Sequence, residues 1–221
     1  MVNAWDKVAE DFNTYKEAKW WGAVDNIDAV WPVLLKYIKE NFSRPSGKAL
    51  EFGCGTGMFC SELSRLGFDV TGIDVSEKMI AIGRKNLPPT IKLEVGGTTT
   101  AQELGPFDLI TSIMVLQFIE DHKLAELVSA ISSGGHLTFA VHNPAQLDAR
   151  GVENHFYLGE DKAPVRIYKR SATDYDNIFS GLRMHKTIET FAETSETMRQ
   201  KYHIQNEHEV RKYLILGYQK S

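Results

Sequence analysis

The sequence predicts an α/β fold, a doubly wound sheet of mostly parallel strands, and three observations carry that prediction. From Lys48 onward, short apolar runs alternate with amphipathic helical stretches, and Gly or Asx residues mark the turns between them. The run Phe107 to Met114 is apolar almost throughout, as a strand covered on both faces must be. A cluster of three glycines, Gly53, Gly55 and Gly57, stands where the first strand ends and a helix begins.

The elements follow in order. Residues 24 to 42 place Ile27, Val30, Trp31, Leu34, Leu35, Ile38 and Phe42 on one helix face, and Pro32 implies either a kink or a fresh helix start. Ala49 to Phe52 is the first strand, and Met58 to Leu66 a helix that Gly67 ends. Phe68 to Ile73 is the second strand; Ser76 then caps a helix carrying Met79, Ile80, Ile82 and Leu87 as far as Pro88. Ile91 to Val95 and Phe107 to Met114 are the third and fourth strands, Asp121 caps a helix through Ile131, and His136 to Val141 is the fifth strand. Residues 143 to 170 lack a clear period and read as an irregular segment, the kind that often serves as a lid. Ser171 to Asp174 has the form of a capping box and opens a further helix, and Met184 to Phe191 and Lys212 to Tyr218 read as two last strands.

The composition is that of an ordinary globular chain. It has 221 residues, 43% hydrophobic and 24% charged, with 25 basic against 29 acidic side chains. A net charge of −4 without a basic stripe disfavours a nucleic-acid partner. The longest stretch without a formal charge, Leu127 to Leu147, is broken by Gly134, Gly135, Asn143 and Pro144, so no membrane span is expected. Asp6, Lys7, Glu10 and Asp11 interrupt any apolar leader, which makes the cytoplasm the expected compartment. Cys54 and Cys60 form no metal or redox motif and are expected to be reduced; no metal is expected.

The sharpest feature is Glu51-Phe-Gly-Cys-Gly-Thr-Gly57. Glycines at spacing two let the backbone turn sharply and approach a ligand with no Cβ in the way. Asp74 closes the second strand twenty-one residues after Gly53, where an acid accepts hydrogen bonds from ribose hydroxyls. Glu51, ahead of the loop, would repel a pyrophosphate but suits a cationic amino group. Together they favour a nucleoside bearing an amino acid over a dinucleotide, and G-x-G-x-G departs from the G-x-G-x-x-G of nicotinamide oxidoreductases.

At these residues the chain resembles the class I S-adenosylmethionine-dependent methyltransferases, in its small-molecule branch. The glycine loop is similar to the family's first motif, Gly72 to Met79 to its second, and Phe107 to Ile113 to its fourth-strand motif. The resemblance implies a Rossmann-like sheet of seven strands with the last inserted antiparallel between the fifth and sixth. It divides a single domain into an N-terminal helical cap (1–45), a cofactor-binding core (46–142), a lid (143–170) and a C-terminal helix and hairpin (171–221). It implies S-adenosylmethionine as cofactor, with Gly53, Cys54 and Gly55 along the methionine moiety, Glu51 on its amino group and Asp74 on the ribose. Val75 and Met79 would pack beside the adenine and Ile113 would meet the cofactor from below; a core position suits Met79 equally. Many relatives carry an acid after the third strand for the adenine amino group, whereas this chain reads Val95-Gly-Gly-Thr98, leaving Thr98 and neighbouring backbone groups to substitute.

Methyl transfer needs orientation and desolvation, and a base only where the nucleophile arrives protonated. No catalytic base is assigned. Tyr15 and Trp20, in an aromatic-rich segment with Trp5, Phe12 and Trp21, would wall off the methyl donor or simply anchor a terminal helix. Trp5 and Phe12, seven apart on one helix face, are the better anchors. His142, His155 and Tyr157, with Trp20, are candidates to face a small-molecule acceptor. A non-catalytic or regulatory binder of S-adenosylmethionine on the same fold is the alternative function, and the sequence does not separate the two.

Overall fold

The computed structural model describes residues 4–9, 29–42, 46–149, 151–158, 163–193 and 210–221. Seven strands make one sheet: β1 (Lys48–Phe52), β2 (Asp69–Asp74), β3 (Lys92–Val95), β4 (Phe107–Ile113), β5 (Ile131–His142), β8 (Arg183–Glu193) and β9 (Val210–Gln219). Their order is β3-β2-β1-β4-β5-β9-β8. Pairings from β3 through β5 are all parallel, while β9 runs antiparallel to both β5 and β8. The strand order reverses between β1 and β4, which places a crevice beyond their C-terminal ends, where such sheets bind ligands.

Period-two alternation divides the core between the faces of the sheet. Leu137, Phe139 and Val141 of β5 join Leu214, Leu216 and Tyr218 of β9 on one face. Ala140, Tyr213 and Ile215 lie on the other, beneath Leu34, Tyr37 and Ile38 of α1 (Trp31–Asn41) and Phe59 and Leu63 of α2 (Met58–Leu66). Tyr37 lies flat enough on β9 that a Cβ on Gly217 would come within 2.6 Å of its ring, and its hydroxyl reaches Nδ1 of His136 at 3.2 Å.

Helix ends follow local chemistry. Pro32 lies in the first turn of α1, directly after the π-helical Ala29 and Val30; residues 10–28, including most of the aromatic-rich segment, lie outside the described residues. α2 starts at Gly57 and stops at Gly67, both left-handed. The Ser76 hydroxyl caps α3 (Glu77–Asn86) by accepting from the Met79 amide at 3.1 Å. Ser171 and Asp174 close a full capping box at the start of α7 (Ala172–Ile178).

The structure corrects several expectations. Glycines flank a seven-residue helix, α4 (Thr98–Leu104), whose lack of an apolar stripe hid it from periodicity. The helix from Asp121 ends early: α5 (Asp121–Glu126) tightens into a 3-10 turn over Leu127–Ala130, and Glu120 holds the cap position because Arg170 takes the Asp121 carboxylate. β5 begins five residues sooner than its apolar run, since left-handed Gly134 and a register shift in β4 let Ile131 pair with Phe107. The segment from 143 to 170 is not irregular throughout. It holds α6 (Pro144–Ala149), with the Asn143 carboxamide accepting from the Ala145 amide at 3.0 Å, and a two-stranded hairpin of β6 (His155–Leu158) and β7 (Ala163–Arg166).

The Tyr37 contact yields a test of the packing. Gly217→Val should destabilise the fold by about 1–3 kcal/mol through overpacking, seen as a lower midpoint in urea with an unchanged m-value.

Candidate active site

The three crossovers after β1, β2 and β3 meet at Asp74. One carboxylate oxygen accepts from the Gly55 amide and the other from the Ser76 amide, each at 2.8 Å, and the Asp74 carbonyl accepts from the Gly96 amide at 2.9 Å. The Ile73 carbonyl takes the amides of Gly53 and Cys54 at 2.7 and 3.0 Å. Gly53 turns with φ +73, and a Cβ there would overlap the Val115 side chain at 2.3 Å, so both conformation and space demand glycine. Gly55, at φ +55, faces open space with only Met79 Sδ at 4.0 Å from a would-be Cβ. Burial pushes the Asp74 carboxyl above its ordinary range, opposed by the amides of Ser76 and Gly55 and aided by nearby Asp6.

Glu51 is 2% exposed at the end of β1, directly behind the loop. Its carboxyl accepts from the Thr111 hydroxyl, and no cation stands within ion-pair distance among the described residues. Burial pushes its pKa up to about 8, with the Thr111 hydrogen bond pulling the other way. The Cys54 thiol is likewise raised, first by its contact with Cys60 and then by burial.

A second layer encloses these groups. Met114, directly after β4, is left-handed at φ +59, a conformation a side chain resists and one that concentrates at functional sites. It turns Val115 toward Gly53 and Phe118 toward Trp5, whose ring meets it edge-on at 5.2 Å. Residues 4–9 lie across α3: Val8 and Ala9 pack on Met79 and Ile82, Trp5 and Val165 of β7 join them, and Asp6 accepts from the Ser76 hydroxyl at 2.6 Å. Trp5 is thus an anchor, as its spacing suggested, while Phe12, Tyr15 and Trp20 lie outside the described residues.

Gln117 and Arg170 were not legible in the sequence as site-building residues. The Gln117 side-chain oxygen accepts from the His142 amide at 2.8 Å, and its carbonyl accepts from the Tyr168 amide at 2.7 Å. Arg170 donates to the carbonyls of Leu116 and Ile119 at 3.1 and 2.7 Å and to the Asp121 carboxylate. Both residues fasten the loop after β4 to the chain leaving the hairpin, and no local pattern marks a contact across some fifty residues.

Glu51, Gly53, Cys54, Gly55, Asp74, Val75, Met79, Thr98 and Ile113 therefore gather at the ends of β1 to β4. The Thr98 hydroxyl is not idle: it donates to Glu126 Oε2 at 2.6 Å. His142 stands at the end of β5 with its ring stacked on Tyr213 at 5.7 Å. His155 is exposed on the separate hairpin, paired with Arg166, and Tyr157 pairs through its backbone with Pro164 while its side chain lies outside what is described. Among the described residues, no three His, Cys, Asp or Glu side chains could share a metal ion, and no helix is long and apolar enough to cross a membrane.

A family profile for the methyltransferase domain matches residues 27–199. The chain belongs to the methyltransferase domain family. A ubiquinone biosynthesis O-methyltransferase of Acinetobacter baumannii is 31% identical over 140 residues, 57% of this chain and 58% of the relative. The chain thus matches about three-fifths of the length of that curated relative. Among solved structures, an S-adenosylmethionine dependent methyltransferase from Mesorhizobium loti superposes with a TM-score of 0.62 at 20% identity, covering 86% of this chain and 97% of that one. The N-methyltransferase NodS from Bradyrhizobium japonicum, solved with S-adenosyl-L-homocysteine, gives 0.62 at 16% identity, covering 97% and 98%.

Open space flanks the glycine loop of this methyltransferase-family chain. Beside the open flank of Gly55, a Cβ on Gly97 would meet nothing within 4 Å. Val75 and Val95, next to Asp74 in sequence and in register, are 48% and 41% exposed and offer an apolar platform.

Glu51 makes the ligand-free protein sensitive to pH. An acid whose folded pKa, about 8, exceeds its unfolded value near 4.3 holds its proton only in the fold across that interval, so the contribution of this group to stability is full below pH 4 and is lost as the pH rises toward 8. Denaturant titrations of the wild type should show this decline, on the order of a few kcal/mol, and Glu51→Gln should remove most of it.

Proposed function

We propose that the chain transfers a methyl group from S-adenosylmethionine to a nucleophilic atom of a small-molecule acceptor. Glu51 carries this reading. A buried carboxyl without a cation is costly unless neutral, and the ammonium of a methionine moiety laid along Gly53, Cys54 and Gly55 would supply the missing charge. The Gly55 and Ser76 amides each occupy one oxygen of Asp74 and the Val75 amide lies against the same carboxylate, so of the about four acceptor positions of an ionised carboxylate one is left for a ribose hydroxyl. Val75, Val95 and Met79 would flank the adenine, Thr98 would lie at its polar edge, and Ile113 beneath the sulfur.

The bound sulfonium supplies an electrophilic methyl; the chain's task is orientation and exclusion of water. Trp5, Phe118 and Val165 form cover on the side of α3, and Tyr15 and Trp20 are assigned to extend it. The segment from 143 to 170 is assigned as a lid over the acceptor, with His142, at the end of β5, and His155 and Tyr157, on the hairpin, facing that molecule. The relative's name speaks of O-methylation, which makes hydroxyl acceptors the first to try. The neighbouring free thiols of Cys54 and Cys60 suit the cytoplasm.

Titration calorimetry tests the reading. S-adenosylhomocysteine should bind and NAD should not, with affinity rising from pH 6 toward pH 8 as Glu51 gives up its proton to pair with the ligand ammonium. Buffers of different ionisation enthalpy should reveal that released proton, and Glu51→Gln should abolish the release and weaken binding about tenfold or more. Asp74→Ala should weaken it by a similar factor. Tight NAD binding with no response to the sulfur nucleoside would overturn the reading. Binding without methyl transfer to any member of a panel of hydroxyl and amine acceptors would favour the regulatory alternative.

A further inference from the structure

We propose that Glu126, a residue of α5, supplies the carboxylate that accepts the N6 amino group of the adenine. The inference rests on the methyltransferase reading and concerns the one contact for which the chain lacks the expected residue. After β3 the sequence runs Val95-Gly-Gly-Thr-Thr-Thr-Ala-Gln102 without an acid, and residues 98–104 are wound into α4. An adenine edge presents an amino group that only donates, so the site needs an acceptor there.

Four observations point to Glu126. Its Oε2 accepts from the Thr98 hydroxyl at 2.6 Å, which brings a carboxylate from another helix to the start of α4. Among the described residues its Oε1 has no hydrogen-bond partner, so one oxygen of the oriented carboxylate remains available. The end of α5 is itself fixed, because the Gln102 carboxamide donates to the Glu126 carbonyl at 3.3 Å and to the Ser129 hydroxyl at 2.8 Å. The loop between β3 and α4 is tied to the ribose acid by the Gly96 amide on the Asp74 carbonyl, and its next residue, Gly97, faces open space.

The apolar surroundings agree. Val75 and Val95, beside Asp74, are two of the three large hydrophobic side chains that stand exposed among the described residues. A flat base laid on this platform from a ribose at Asp74 directs its polar edge toward Thr98 and the carboxylate that Thr98 holds. The Thr98 hydroxyl acts here as a positioning group, its proton committed to Glu126, and the charged oxygen is the stronger acceptor for N6.

The experiment compares S-adenosylhomocysteine with S-inosylhomocysteine, in which a carbonyl oxygen replaces the amino group, by titration calorimetry on the full chain. The wild type should prefer the adenosyl compound at least tenfold, because a carboxylate accepts from the amino group and repels the carbonyl. Glu126→Gln should bind S-adenosylhomocysteine about tenfold more weakly and close or invert the preference, since its amide can donate to the carbonyl. Glu126→Ala should abolish the preference. The ratio of the two affinities is the readout, so a variant of lower stability is still informative where a purely structural role would weaken both ligands equally. A wild type without preference, or a Glu126→Gln protein that keeps the wild-type ratio, overturns the proposal. Failure of the wild type to bind either nucleoside overturns the methyltransferase reading as well, and is distinct from both of those results.

Discussion

The carboxylate of Asp74 holds the site together before any ligand arrives. It gathers the Gly55 amide from the loop after β1 and the Ser76 amide from the start of α3, while its own carbonyl takes the Gly96 amide from the loop after β3. Three short connections, each without a hydrophobic core of its own, are thereby fixed against one residue at the end of a buried strand. Charge-assisted hydrogen bonds to backbone amides suit this purpose because they are short, directional and costly to leave unmade. Ser76 extends the arrangement outward, capping α3 with its hydroxyl oxygen and donating its hydroxyl hydrogen bond to Asp6, so the N-terminal segment is fastened to the same point.

Two acids at adjacent strand ends meet different surroundings. Asp74 sits among backbone amides that favour its ionised form even as burial opposes it. Glu51 has a single hydroxyl donor against its burial, so burial dominates and raises it to about 8. The first is suited to accept hydrogen bonds from neutral hydroxyls, the second to exchange its proton for a cation. That division of labour corresponds to the ribose and amino-acid ends of one nucleoside.

The enclosure of the site depends on contacts between distant parts of the chain. Left-handed Met114 aims the loop after β4 so that Val115 reaches Gly53 and Phe118 reaches Trp5. Arg170, 6% exposed, holds that loop by its carbonyls and covers Tyr168 and Tyr175 with its guanidinium at 4.6 and 5.7 Å from the ring centroids. A planar group with five donors can satisfy several carbonyls and a carboxylate at once, which a lysine could not do in the same geometry.

The parallel sheet, the glycine loop and the placement of Glu51 and Asp74 at strand ends were legible in the sequence because each is a local pattern: period-two or continuous apolar runs, glycines where φ turns positive, an acid at a strand end. Ser76 and the Ser171 capping box were legible for the same reason, since a cap and its partner lie within three residues. Helix α4 and the β6–β7 hairpin were not. α4 is a short element without a sustained apolar stripe, and the hairpin is a separate two-stranded sheet whose contacts with Trp5 are made in space. Likewise, nothing near Thr98 announces that its hydroxyl will meet Glu126 twenty-eight residues later, or near Gln117 that it will bind the His142 amide. The sequence by itself determined which residues could turn, cap and carry charge at the strand ends. Only the tertiary structure decided which distant side chains complete the rim, because a hydrogen bond between two helices or two loops depends on how both pack against the sheet.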